Sequence, residues 1–294
     1  MSKTKALDSS PATLPLFVRA GLGAIPGTGK LPFLAGGGGP VPELELELAD
    51  VAVDTDRLAE YAKVCGFRLR DAQPATYPHV LAFPLHMRLL TDPAFPFPAI
   101  GMVHIANRIT QRRPIALREH LGLRVRATQP EPHPKGRTFK LITEARVGDE
   151  LVWEGESTNL RRGGGDEAAA APKEPAADPA GLRDEAQWSL PGDLGRRYAG
   201  VAGDRNPIHL YGITAKAFGF PRQIAHGMWT KARCLAQLDS RLPDPFAVEV
   251  AFKRPILLPS KVKFATAADD GRIDFGVRSA KDDTPHLTGS VRPL

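Results

Sequence analysis

The feature that most constrains this chain is that its second half repeats the first. Residues 57–68 (RLAEYAKVCGFR) line up with residues 195–205 (GRRYAGVAGDR), pairing Tyr61 with Tyr198, Val64 with Val201, Gly66 with Gly203 and Arg68 with Arg205. Further on, residues 80–85 (VLAFPL) sit where residues 223–228 (QIAHGM) sit, and Arg113-Pro114-Ile115 answers Arg254-Pro255-Ile256. Alternating segments follow in both copies. They are 121–128, 138–146 and 150–160 in the first, and 261–267, 272–278 and 286–291 in the second. Each half is therefore helix-rich first and strand-rich second, the order of an α+β unit. Four matches in the same order point to a duplication rather than two unrelated domains.

Composition marks the boundaries. Residues 163–180 combine Gly163, Gly164 and Gly165 with an alanine run and Pro172, Pro175 and Pro179. A stretch so poor in large apolar groups cannot pack, and the prolines forbid a long helix. The expected organisation is an N-terminal arm (1–40), a first unit (41–162), a flexible linker (163–182) and a second unit (183–294). The glycine run Gly36–Gly39 sets off the arm, which is expected to be irregular and carries no motif from which a function can be read.

The 42% apolar content suits a chain with a real core. A net charge of +6 is a mild basic bias. Its lysines and arginines are scattered in pairs such as Arg196-Arg197 rather than gathered in a stripe, so no nucleic-acid partner is expected. Cys65 and Cys234 lie far apart with no ligand-type spacing, which fits reduced thiols in a cytoplasmic protein. Leu14–Leu22 is apolar but broken by Arg19 and glycines, and no run approaches the ~20 residues of a membrane span.

Chemistry concentrates in residues 198–209, YAGVAGDRNPIH. Asn206-Pro207 is a helix start, because asparagine caps and proline at the first helical position gives up no needed donor. The helix is expected to run through His209 and Ala215, with Gly219 and Pro221 ending it. His209 then lies in the first turn with Asp204 just ahead of the cap, so a carboxylate and an imidazole could hold one water. The competing reading is a Gly-Asp turn, an asparagine cap and an exposed helical histidine. A second helix carries Ala225, Met228, Trp229, Ala232, Leu235, Ala236 and Leu242 on an apolar face, with Lys231, Arg233, Gln237, Asp239 and Arg241 opposite. Met228 and Trp229 are expected in the core.

The run from Tyr198 through Gly203-Asp204-Arg205-Asn206-Pro207-Ile208-His209 to Ala215, with His226-Gly227-Met228 beyond it, resembles the signature of the MaoC-like, R-specific 2-enoyl-CoA hydratases. The resemblance is specific over 198–232 and reaches the C-terminus through residues 252–256 (FKRPI). It implies an α+β double hot dog, two long helices each wrapped by an antiparallel sheet. It implies Asp204 and His209 as a catalytic dyad, Asn206 as support for the loop, and the backbone N–H of Gly227 as donor to the thioester oxygen. The reaction implied is hydration of a trans-2-enoyl-CoA to the (R)-3-hydroxyacyl-CoA, or its reverse. An acyl-CoA thioesterase and a catalytically silent acyl-binding or assembly protein are the alternatives on the same fold.

On the internal alignment Phe67 stands at Asp204 and Pro84 at Gly227. Phenylalanine exchanges no proton and proline has no N–H, so the first unit is expected to be non-catalytic. His226 could orient the turn before Gly227 or simply cap a helix. Lys253 and Arg254 could meet CoA phosphates or lie at a solvated strand end. His79, His86, His104 and His120 lack ligand-like spacing, so no metal is expected, and the reaction calls for no cofactor beyond its acyl-CoA or acyl-carrier thioester. Two units in one chain allow a self-sufficient monomer or a homodimer.

Overall fold

A computed structural model describes residues 3–23, 34–169 and 181–294; the middle of the expected linker, 170–180, lies outside them. By packing, the chain divides into two units that interleave along the sequence. The second unit comprises residues 174–294 together with 53–77 and 106–117, and the first holds the remainder. The units are thus not the sequential halves.

The first unit is a sheet in the order β1 (Lys3–Leu7), β2 (Leu44–Val51), β4 (Leu121–Ala127), β6 (Gly136–Val147), β7 (Glu150–Arg162), with the short β5 (Glu131–His133) paired to β6. The β1–β2 pair is parallel; β2–β4, β4–β6 and β6–β7 are antiparallel. Period-two alternation explains the faces: Leu121, Leu123 and Val125 are fully buried while their neighbours are not. Helix α3 (Tyr77–Leu90) buries Val80, Ala82, Leu85 and Leu89. It is tied to β6 by His86 Nε2 and Thr143 Oγ1 at 2.7 Å. Among its described residues the arm is not irregular. Besides β1 it forms α1 (Thr13–Gly23), whose Leu16 and Ala20, one turn apart, pack on Met87 and Ile100.

In the second unit the sheet order is β3, β9, β12, β11, β10, β8, every pairing antiparallel. The strands are β3 (Met102–Gln111, of which 106–111 belong here), β8 (Arg183–Leu190), β9 (Phe246–Phe252), β10 (Ser260–Asp269), β11 (Arg272–Ser279) and β12 (Pro285–Pro293). With them come α2 (Thr55–Cys65), α4 (Leu194–Ala202), α5 (Pro207–Leu210), α6 (Gly212–Ala217) and α7 (Gly227–Leu238). Met228 and Trp229 are core residues, 6% and 3% exposed. The indole N–H of Trp229 donates to the Val64 carbonyl at 3.0 Å.

Two helical expectations need correction. Lys231 is not on a solvent face: it is fully buried. Its Nζ donates to Asn107 O (3.2 Å), Asn107 Oδ1 (2.5 Å) and Val248 O (3.3 Å), so three oxygens of β3 and β9 replace water around the ammonium. The single helix expected after Asn206-Pro207 is two, α5 and α6. Tyr211 is extended between them (φ −141°, ψ 149°). The Thr214 hydroxyl lies within hydrogen-bonding reach of the Pro207 (2.6 Å) and Tyr211 (2.9 Å) carbonyls, the local competition through which threonine disfavours an unbroken helix.

The duplication is visible in detail. Helices α2 and α4 both end on a left-handed glycine, Gly66 (φ 83°) and Gly203 (φ 81°), whose N–H closes on Ala62 O and Ala199 O. Phe67 follows one and Asp204 the other. Further along, an isolated bridge Ala72–Ala116 matches a bridge Ile224–Leu257. These bridges correct the pairing of Pro84 with Gly227. Gly227 is the first residue of α7, whereas Pro84 lies in the interior of α3, whose first residue is Tyr77. Helices α5 and α6 lie between Gly203 and Ile224 and have no counterpart between Gly66 and Ala72, so the first copy reaches its helix sooner than the paired segments allow.

Candidate active site

The site is assembled from three backbone reversals. At the end of α4, Gly203 turns the chain in the left-handed conformation and delivers Asp204. The last turn of α4 is held by Arg57, whose Nε–H donates to Val201 O at 2.8 Å. Asp204 Oδ1 then accepts the Asn206 N–H at 3.1 Å, and Asn206 Oδ1 accepts the Ile208 N–H at 3.4 Å. These successive side-chain turns satisfy donors that a helix start leaves open and place His209 in α5. Asn206 therefore caps, as its sequence context indicates.

His209 is 8% exposed, so the reading of an exposed helical histidine does not hold. Its Nδ1 lies 2.8 Å from the Ile224 carbonyl. A carbonyl only accepts, so Nδ1 carries the proton and Nε2 presents a lone pair. His226, 2% exposed, takes the opposite tautomer. Its Nε2–H donates to the Asp204 backbone carbonyl at 3.0 Å, and its Nδ1 is buried with no hydrogen-bond partner among the described residues. The two rings stack, centroids 3.7 Å apart, and the Tyr198 ring covers His226 at 4.8 Å. His226 occupies the cap position of α7, but its side chain does not cap that helix; it ties the Asp204 loop instead.

Gly227 opens α7, where the N–H has no intrahelical partner. A Cβ at this position would stand 3.0 Å from the Phe252 ring, so glycine lets the ring approach without shifting. Lys253 and Arg254 follow Phe252, their N–H groups bonded to His286 O and Pro285 O. They continue the strand that lines the start of α7, with Arg254 exposed.

Burial sets the electrostatics. It pushes the Asp204 carboxyl above its ordinary value, opposed by the His209 charge and the Asn206 N–H. It pushes the His209 imidazole below its ordinary value, opposed by Asp204 and by the bond to Ile224. His226 is held well below the imidazole range by burial and by the neighbouring His209. The pair is thus biased toward a protonated acid beside a neutral base. Asp204, His209 and His226 each bring one ligand-type atom within 4.8 Å of the others. Yet His226 Nε2 is already spent as a donor to Asp204 O, so the trio does not offer three free lone pairs to a cation.

Sequence reasoning did not single out Gly195, the Ile224 carbonyl or Phe252. Their contacts, Gly195 against the His209 backbone, Ile224 O with His209 Nδ1 and Phe252 against Gly227, join residues distant in sequence.

The model of the MaoC like domain matches residues 181–288. The 3-hydroxyacyl-thioester dehydratase X of Mycobacterium tuberculosis is 39% identical over 292 residues, spanning 97% of this chain and 100% of that one. The crystal structure of HtdX from the same organism superposes with a TM-score of 0.75 at 38% identity, covering 85% of this chain and 100% of that one. Another M. tuberculosis protein, described as having a double hotdog fold, shares the fold at a TM-score of 0.53 and 14% identity over 82% of this chain and 92% of its own. No helix among the described residues is long and apolar enough to cross a membrane. The chain belongs to the MaoC-like dehydratase family and has its double hot dog fold.

Proposed function

We propose that this protein is a hydro-lyase that adds water reversibly across Cα=Cβ of a 2-enoyl thioester, giving the (R)-3-hydroxyacyl thioester, with CoA or an acyl carrier as the thiol. The observation that carries the reading is the Asp204–His209 pair: a half-buried carboxyl and a buried imidazole, each pushed toward its neutral form, with Nε2 of His209 left as the free lone pair. His209 Nε2 takes a proton from water as its oxygen bonds to Cβ. The π electrons move toward the thioester oxygen, and the Gly227 N–H donates to the oxyanion. A donor aimed where charge develops is worth about 3 kcal/mol. Asp204 Oδ2 then gives its proton to Cα, and transfer from imidazolium to carboxylate resets the pair. Acid–base groups so placed contribute about 10²- to 10⁴-fold. No oxidation state changes overall, so the scheme draws on no redox cofactor. Lys253 and Arg254, beyond Phe252, are proposed to meet phosphates of the thiol carrier.

The test is ultraviolet absorbance of the enoyl band with crotonyl-CoA. Loss without free thiol marks a hydratase. Thiol release instead would mark a thioesterase, and neither signal an acyl-binding protein. A dehydrogenase specific for (S)-3-hydroxyacyl-CoA should find no substrate in the product; NADH formation would overturn the R assignment. His209→Ala and Asp204→Asn should each abolish hydration while the protein stays folded.

A further inference from the structure

We infer that Gly195 is a positioning residue for His209, a role that rests on the proposed function of His209. Gly195 lies in the first turn of α4 and is buried. A Cβ built on it would stand 1.9 Å from the carbonyl oxygen of His209, 2.9 Å from its carbonyl carbon and 3.5 Å from its Cα. All three are backbone atoms, which cannot rotate away as a flexible side chain does. The first turn of α4 and the helix carrying the proposed base therefore pack backbone on backbone, and hydrogen alone fits at Gly195 Cα.

Neighbouring contacts close a clamp around the same residue. Arg196 Nη1 donates to Leu210 O at 3.0 Å, and its guanidinium lies over the Tyr211 ring at 5.0 Å. Gln223 Nε2 donates to Gly192 O at 2.9 Å, anchoring the segment whose Ile224 N–H donates to Ile208 O (3.1 Å). The carbonyl of that same Ile224 fixes His209 Nδ1. His209 is thus held through its carbonyl by α4 and through its ring by 223–224, and Gln223 links the two holds. A methyl at Gly195 forces His209 off the Ile224 carbonyl and moves Nε2 relative to Asp204. Displacement of a reacting group by about 1 Å costs on the order of 100-fold in rate.

The same helix supplies the control. Gly200 in α4 has open space where its Cβ would go, with nothing among the described residues within 4 Å. Gly195→Ala and Gly200→Ala add the same methyl to the same helix. In hydration of crotonyl-CoA, Gly200→Ala is expected to keep wild-type kcat and to raise Tm slightly, since alanine favours helix over glycine. Gly195→Ala is expected to lose on the order of 100-fold in kcat with KM changed less than about threefold. Its acid limb of kcat/KM should also move from the wild-type position, which a purely structural effect would not do. A folded Gly195→Ala protein with wild-type kcat and pH limb would overturn the inference. If Gly195→Ala does not fold, Gln223→Leu removes only the tie to Gly192 O; it should lose kcat selectively, and an unchanged kcat there overturns the inference equally. His209→Ala separates the two levels. If it stays active, the role of His209 is wrong and this inference falls with it. If it is dead while Gly195→Ala is fully active, only the inference fails.

Discussion

His209 and His226 stack face to face, centroids 3.7 Å apart and planes 25° from parallel, with opposite nitrogens committed. His209 spends Nδ1 on Ile224 O; His226 spends Nε2 on Asp204 O. One neutral ring thereby presents a basic nitrogen, and the other fixes the loop that carries the acid. Burial, and after it the charge His209 can carry, hold His226 neutral.

The tie from His226 should matter to rate more than to binding. His226→Phe keeps an aromatic ring against His209 but leaves the Asp204 carbonyl without its donor. A fall in kcat of about 10- to 100-fold is expected, with stability lower by about 1–3 kcal/mol for the unpaired carbonyl. His226→Gln keeps an N–H donor of similar reach and should recover much of the rate. Equal activity in the two variants would show that the donor is irrelevant.

Gly227 offers two separable effects. Gly227→Pro removes the N–H and should lower kcat about 10²- to 10³-fold. Gly227→Ala keeps the N–H but brings a methyl within 3.0 Å of the Phe252 ring, so the ring must give by a few tenths of an ångström. Its loss should be smaller and should be relieved in the double variant Gly227→Ala/Phe252→Leu. A Gly227→Pro enzyme with wild-type kcat would remove this N–H from the mechanism.

What the sequence reveals here is what is local. Asp204, Asn206 and the start of α7 are legible because a left-handed glycine, an asparagine cap and an orphan helix N–H act within a few residues of themselves. Lys231 is not legible. Helical spacing puts it beside Arg233 and Gln237, but oxygens of Asn107 and Val248 on other strands make its burial tolerable. Gly195 looks like any helical glycine until the His209 carbonyl is beside it. Pro84 misleads for a related reason: α5 and α6 lengthen the path from Gly203 to Ile224, while the path from Gly66 to Ala72 carries no helix, so α3 begins before the segment paired with α7. Such a length difference has no signature in the residues themselves.

Phe67 stands at the position of Asp204, directly after the αL glycine of α2, with its ring 6.3 Å from that of Tyr61. Phe67→Asp should nevertheless give no second site. The residue as far beyond Phe67 as His209 is beyond Asp204 is Ala72, and it sits in the bridge to Ala116 rather than on a helix. The double variant Phe67→Asp/Asp204→Asn is therefore expected to be as inactive as Asp204→Asn alone. Measurable rescue of crotonyl-CoA hydration would show that the first copy retains latent chemistry.

Acid should inactivate and destabilise this protein through its histidines. His86, His209 and His226 are held below the ordinary value of 6.5, so between their folded values and 6.5 the unfolded chain binds more protons. Stability then rises with pH through that window and is lost as pH falls below about 6.5. Asp204 acts in the opposite sense. Its raised carboxyl favours the folded state below 3.8, and that contribution is lost as pH rises through the folded value, so it partly offsets the histidines in the carboxylate range. His226→Phe should flatten the dependence of Tm on pH below 6.5 by removing one of the buried histidines held under that value. In the activity profile, His209 must be neutral to act as base, which puts the acid limb of kcat/KM below 6.5. A limb above that value would mean that the group being titrated is not a buried His209.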